Sequence, residues 1–288
     1  MFSFTKASPN KAPSLPAGRN KTPLRSPLDL VFLSLQLYRS NFWLMIGYTA
    51  WLLLPFAGYF VLSFFPEQNP IVVTLDLLCS VAEFMITFWT GIILILIVNA
   101  LVEKQPFDAM GLKKYSKTLL QPTARVLLLH ILLVLLGFIL LIIPGFIAII
   151  WFAFAQTSAV LDGKHGMEAL KFSRSLSEGR FFSVLYRLVG GPVLIGFVYS
   201  VIVALIISIS GAAAGVDPVK IAAQNQLPAW LDLLQSIVEI VAIPLLATYM
   251  TLLYKHLRET RGPLVKQETV SPETGEKIAS SMTPRNET

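Results

Sequence analysis

Residues 142–180 read IIPGFIAIIWFAFAQTSAVLDGKHGMEALKFSRSLSEGR. A Pro-Gly turn, Pro144-Gly145, closes one apolar segment and opens another, which runs from Phe146 to Leu161 and ends at Asp162-Gly163. Met167–Glu178 then sets Ala169, Phe172 and Leu176 on one helical face, with Lys171, Arg174, Ser175 and Glu178 on the other, the pattern of a basic amphipathic helix at a membrane interface. After Gly179-Arg180 the chain turns apolar again. The order is membrane hairpin, interfacial helix, next span, and the rest of the chain repeats it.

Composition agrees. The 288 residues are 55% hydrophobic and only 14% charged, with mean hydropathy +0.67. Soluble domains carry about 25% charged residues. The apolar residues fall in long runs, so the expected fold is an all-α polytopic membrane protein with six transmembrane helices and three interfacial amphipathic helices. The first 27 residues lack the apolar core of a signal peptide, so the first span is expected to act as an uncleaved anchor. The one cysteine, Cys79, lies in an apolar run, which rules out an intramolecular disulfide and supports no thiolate metal site.

In chain order, residues 1–25 read as a disordered basic tail, 26–255 as the membrane domain and 256–288 as a second disordered tail. Ser26-Pro27-Leu28-Asp29 predicts a capped helix start, followed by an apolar face of Leu28, Val31, Phe32 and Leu35. Span 1 is expected at 42–65, with Pro55 kinking it, and span 2 within 71–102. A second basic amphipathic helix follows, with Leu112, Tyr115 and Leu119 on one face and Lys113 and Lys117 on another. Spans 3 and 4, at 125–143 and 146–161, are short for a crossing, so their hairpin tip either sits just inside the far interface or thins the bilayer locally. Span 5, at 182–210, is interrupted by Gly190-Gly191-Pro192, which predicts a kink, and span 6 covers 231–254.

Charge fixes an expected topology. Six Lys or Arg precede span 1, five lie between spans 2 and 3, five between spans 4 and 5, and six after span 6; only Lys220 falls on the other side. Of 23 basic residues, 22 thus share one side, and the positive-inside rule places both termini in the cytoplasm, in a bacterial inner membrane. An internal repeat is suggested by LDLLCSVAE (75–83) in span 2 and LDLLQSIVE (231–239) in span 6, within a recurring order of amphipathic helix, span, span.

Two sets of residues are candidates for function. Asp76 and Glu83 in span 2, and Asp232 and Glu239 in span 6, are spaced i, i+7, which puts each pair on one helical face roughly 10 Å apart in height. A carboxylate among spans faces the bundle interior or water. The four either form a proton or cation path, centred on Glu83 and Glu239, or hydrogen-bond their neighbours and specify packing. The second set, Lys113, Lys114, Lys117, Lys171 and Arg174, fits contact with anionic lipid headgroups. His130, in span 3, is expected to hydrogen-bond a neighbouring helix. No HExxH, P-loop, GxSxG or Cys/His cluster appears, so no catalytic residue, metal, cofactor or nucleic-acid partner is implied.

The central segment resembles a broad bacterial membrane family that includes the so-called glycerophosphoryl diester phosphodiesterase membrane domain and the YciC-like proteins. The resemblance is carried by Pro144-Gly145, Val160-Leu161-Asp162-Gly163, Gly166, Glu168-Ala169-Leu170, Ser173, Leu176 and Gly179-Arg180, and by LYRSNFW (37–43) at the entry to span 1. It implies a six-span integral membrane protein. The phosphodiesterase name comes from a separate catalytic domain in some members, for which this chain has no room, so that activity does not carry over. The leading expectation is a non-enzymatic membrane protein that supports envelope or lipid organisation; the alternative is a proton-coupled or small-solute transporter using the intramembrane carboxylates.

Overall fold

A computed structural model describes residues 25–66, 68–105, 109–213 and 229–261. The Ser26 hydroxyl accepts from the Asp29 N–H at 3.1 Å and the Asp29 carboxylate accepts from the Ser26 N–H at 3.3 Å, a reciprocal capping box that starts α1, Pro27–Ser40. Span 1 is α2, Phe42–Thr49, and α3, Leu53–Leu62, joined by the 3-10 turn Ala50–Leu52. Pro55 lies in the first turn of α3, where its missing N–H costs little, so the expected bend is taken by the turn just before it. Asn69 caps α4, Pro70–Val102, by accepting from the Ile71 N–H. The chain continues as α5, Ala109–Leu140; α6, Ile142–Phe152; α7, Ala155–Asp162; α8, Met167–Ser177; α9, Phe181–Ala213; and α10, Ala229–Arg261.

The protein is all-α and multi-pass. Among the described residues, six helical stretches are long and apolar enough to cross a membrane: Phe42–Leu62, Pro70–Val102, Gly111–Leu140, Ile142–Asp162, Phe181–Ile209 and Leu233–Thr260. The basic tail 1–24, the connection that holds Lys220 and the tail beyond 261 lie outside the described residues.

Four local features refine the reading from sequence. The second amphipathic segment is continuous with span 3 in one 32-residue helix, α5, with Pro122 inside it. The reversal between spans 3 and 4 falls at Leu141, whose φ of −165° and ψ of 153° are extended, and not at Pro144-Gly145. Pro144 instead occupies the first turn of α6. Gly145 and Gly137 let the two helices touch: a Cβ on Gly137 would lie 3.0 Å from the Gly145 Cα. Span 4 is interrupted between α6 and α7, and α8 satisfies the interruption. Ser173 donates to the Trp151 carbonyl at 2.7 Å and accepts from the Phe154 N–H at 3.1 Å. Finally, α10 continues to Arg261, so the expected start of a disordered tail at 256 is corrected; Leu257 is fully buried there and Arg258 pairs with Asp162.

The last helix is the strut of the bundle. One buried cluster joins Leu30 of α1, Phe154, Leu176 of α8 and Val184 of α9 to Tyr249, Leu253, Tyr254 and Leu257 of α10. A second joins Tyr38, Met45, Ile93, Leu94 and Ile97 to Leu252. In hydrocarbon such contacts are held by close packing and not by exclusion of water. The closest fit is at Gly191 of α9, where a Cβ would lie 2.0 Å from the fully buried Tyr249 ring. The Gly190-Gly191-Pro192 sequence leaves α9 helical throughout and serves as the seat of that ring.

Candidate functional site

The basic residues gather at one end of the bundle, where α4, α7 and α10 finish and α5, α8 and α9 begin. Lys113, Lys114 and Lys117 on α5 and Lys171 and Arg174 on α8 are all exposed, and α5 packs against α8. Two of these cations rest on tryptophans. The Arg174 guanidinium lies 4.3 Å from the centre of the Trp151 ring, and the Lys113 ammonium 6.0 Å from that of Trp89. The Trp89 indole N–H donates to Ser116 at 3.1 Å, which fixes the ring under the lysine. Arg174 also meets Glu178 at 3.7 Å, whereas Lys164, one turn before α8, bonds Glu168 at 2.8 Å and holds that carboxyl below its usual range.

Beneath this rim lies a layer of bonded polar groups that sequence reasoning counted only as loop charges. Asp162, the last residue of α7, accepts from the Tyr254 hydroxyl and pairs with Arg258 at 2.8 Å. Arg180 donates to the Leu257 carbonyl at 2.8 Å and to the Thr260 hydroxyl at 3.0 Å, capping α10. Arg187, 8% exposed, donates to the Arg25 carbonyl at 2.8 Å, and the Arg25 N–H donates to His256 Nε2 at 2.9 Å, so both main-chain groups of Arg25 are held. Lys255 bonds Asn99 at 2.7 Å and Glu103 at 2.9 Å. Gly163 (φ 62°) and Gly179 (φ 74°) make the left-handed turns on either side of α8. Asp162, Ser173 and Arg180 were singled out in the sequence; Arg187 entered there only as one of the basic residues between spans 4 and 5, and Tyr254 only as the end of span 6.

Asp76 and Glu239 line two separate clefts, and Glu83 bonds a tyrosine that lines the first. The Tyr59 hydroxyl of α3 lies 2.9 Å from Glu83 Oε2 and 3.0 Å from Ser80 Oγ, beside a cleft of about 360 Å³ lined by Tyr59, Ser63 and Asp76. Glu239 lines a second cleft, of about 410 Å³, with Tyr199 and Gly196 of α9 and Gln235 one turn before it. The clefts share no lining residue. Each glutamate thus sits beside a tyrosine of the span before it. Asp232 is on the first turn of α10, and its side chain is outside the described residues. His130 meets the Phe152 ring edge-on at 6.2 Å rather than the polar partner expected of it. Among the described residues no cluster of His, Cys, Asp or Glu has metal-binding spacing.

Compared with family models, with curated protein sequences and with solved structures, the chain matches none.

Proposed function

We propose that this is a non-enzymatic protein of a bacterial inner membrane, with both termini cytoplasmic, that gathers anionic lipid around its basic rim and so supports envelope or lipid organisation. The observation that carries this reading is the placement of Lys113, Lys114, Lys117, Lys171 and Arg174 on two touching helices at one end of the bundle, all exposed, two of them seated on tryptophan rings. An exposed cation near an anionic membrane surface meets lipid phosphate. Each such charge near an anionic surface is worth about 1 kcal/mol. The same placement at the ends of spans supports the orientation, since the rim gathers charges that the positive-inside rule assigns to the cytoplasm. The resemblance to the YciC-like family supports a membrane role.

Extraction into polymer-bounded discs tests the proposal. The wild type is expected to retain more phosphatidylglycerol than the surrounding membrane holds, and a variant with all five residues changed to Gln is expected to lose that enrichment. Equal enrichment in both would refute it.

A second reading, a proton-coupled transporter, is favoured by the Tyr59–Glu83 contact and by the cleft beside Glu239. It needs a path for each carboxylate separately, because no lining residue joins the two clefts.

A further inference from the structure

A third cavity, of about 320 Å³, lies between α4, α5 and α7 and contains none of the residues considered so far. Its walls are apolar, including Phe84 and Phe88, whose rings lie parallel within 7° at 6.4 Å. Three hydrogen-bonding side chains line it: Thr87 of α4, Thr123 of α5 and Gln156 of α7. No ionisable side chain does.

Many Ser and Thr hydroxyls of the helices donate to a carbonyl one turn back: Ser34 to Val31, Thr74 to Pro70, Thr118 to Tyr115, Thr248 to Pro244 and Thr251 to Ala247; among the described residues the Thr90, Thr123 and Ser177 hydroxyls are buried without a partner, and of these Thr123 lines this cavity. Such back-bonding is the default where water is absent. Thr123 is only 1% exposed, and its hydroxyl has no partner among the described residues. A buried hydroxyl without a partner is costly and calls for one from outside the chain. Gly91 completes the opening: a Cβ built there meets nothing within 4 Å.

We propose that this cavity binds the ester-bearing glycerol region of a membrane lipid, with Thr123, Thr87 and the Gln156 amide donating to ester or hydroxyl oxygens and the acyl chain lying along Phe84 and Phe88. The choice of occupant follows from the lining and the surroundings. Two hydroxyls and an amide match neutral oxygen acceptors, and the absence of a charged side chain excludes the phosphate. The volume, about ten water volumes at ~30 Å³ each, suits the glycerol and the first chain carbons. The cavity opens between spans whose outer residues, Phe84 at 52% and Leu128 at 59% exposure, face hydrocarbon, so lipid is the neighbouring medium. The inference extends the lipid reading above and rests on it for the class of ligand.

The test uses the full chain in nanodiscs with a photoreactive diacylglycerol that carries its diazirine near the ester. Labelling is expected on 84–95 and 123–127. Gly91→Leu, which fills open space, is expected to reduce it at least tenfold, and Thr123→Val to reduce it about three- to tenfold, one lost hydrogen bond's worth. A diether analogue is expected to label weakly. Labelling that survives Gly91→Leu, or equal labelling by the diether, would overturn the proposal. Competition by free glycerol would overturn it too, in favour of a small-solute site. Its failure leaves the phosphatidylglycerol enrichment of the rim untouched. Failure of the rim leaves diacylglycerol labelling untouched.

Discussion

Asp162 accepts the hydroxyl proton of Tyr254 from 92 residues away and ties the end of span 4 to the last helix. The carboxylate is 7% exposed and also meets Arg258, itself half-exposed. Removing the carboxylate strands a buried phenol and leaves Arg258 to water. Asp162→Ala is expected to cost about 2 kcal/mol and Tyr254→Phe about 1 kcal/mol, the guanidinium's exposure limiting the first. Unfolding in mixed micelles, with the double variant closing a cycle, measures the coupling; additive losses would deny the contact.

Gly191 is where backbone must approach the Tyr249 ring. Gly191→Ala pushes a methyl into a fully buried aromatic and is expected to destabilise by about 3 kcal/mol. Gly47→Ala, whose Cβ meets nothing within 4 Å, is expected to be neutral or to stabilise by up to about 1 kcal/mol. Thermal melts of the two in the same detergent should move in opposite directions or differ by this margin.

Tyr38 of α1 donates to the Val241 carbonyl at 2.8 Å, and burial pushes its phenol up to about 12. A folded-state value above the unfolded value of about 10 means that this contribution is complete below pH 10 and is lost as pH rises through 12. Tyr38→Phe, costing about 1 kcal/mol at neutral pH, is expected to converge on the wild type between pH 10 and 12. A constant gap across that window would show that the phenol does not titrate with unfolding.

Glu83 and Glu239 are expected to be packing devices. Proteoliposomes of the wild type should show no proton or cation flux above empty vesicles. Glu83→Gln, which keeps an acceptor for Tyr59, should change stability by less than about 1 kcal/mol. Flux that both Glu83→Gln and Glu239→Gln abolish would establish the transporter instead.

The spans and the amphipathic order were legible because both rest on periodicity and apolar length, which the bilayer enforces. The likeness of LDLLCSVAE and LDLLQSIVE also has a structural counterpart, since each glutamate neighbours a tyrosine of the preceding span. What sequence left unread was set by tertiary partners. Span 4 is interrupted at Ala153–Phe154, within an unbroken apolar run, because Ser173 supplies the bonds. Pro144-Gly145 looks like a turn, yet the glycine is there for contact with Gly137, and Leu141 makes the reversal. Arg180 and Arg187 entered the sequence reading only as basic-side charges, whereas in the fold they serve α10 and the Arg25 main chain. The cavity at Thr123 was invisible, since it depends on how three helices place a buried hydroxyl beside open space.

We propose that exposed charge on α5 and α8 selects anionic lipid. The most direct measurement is the association of spin-labelled phosphatidylglycerol relative to phosphatidylcholine with the reconstituted protein. Three forms are compared: wild type, the five-residue Gln variant and a variant with Lys113, Lys114, Lys117 and Lys171 changed to Arg. A preference of several-fold is expected in the wild type, which the Arg variant keeps, the Gln variant loses and high salt weakens. A preference that is unchanged in the Gln variant would contradict it.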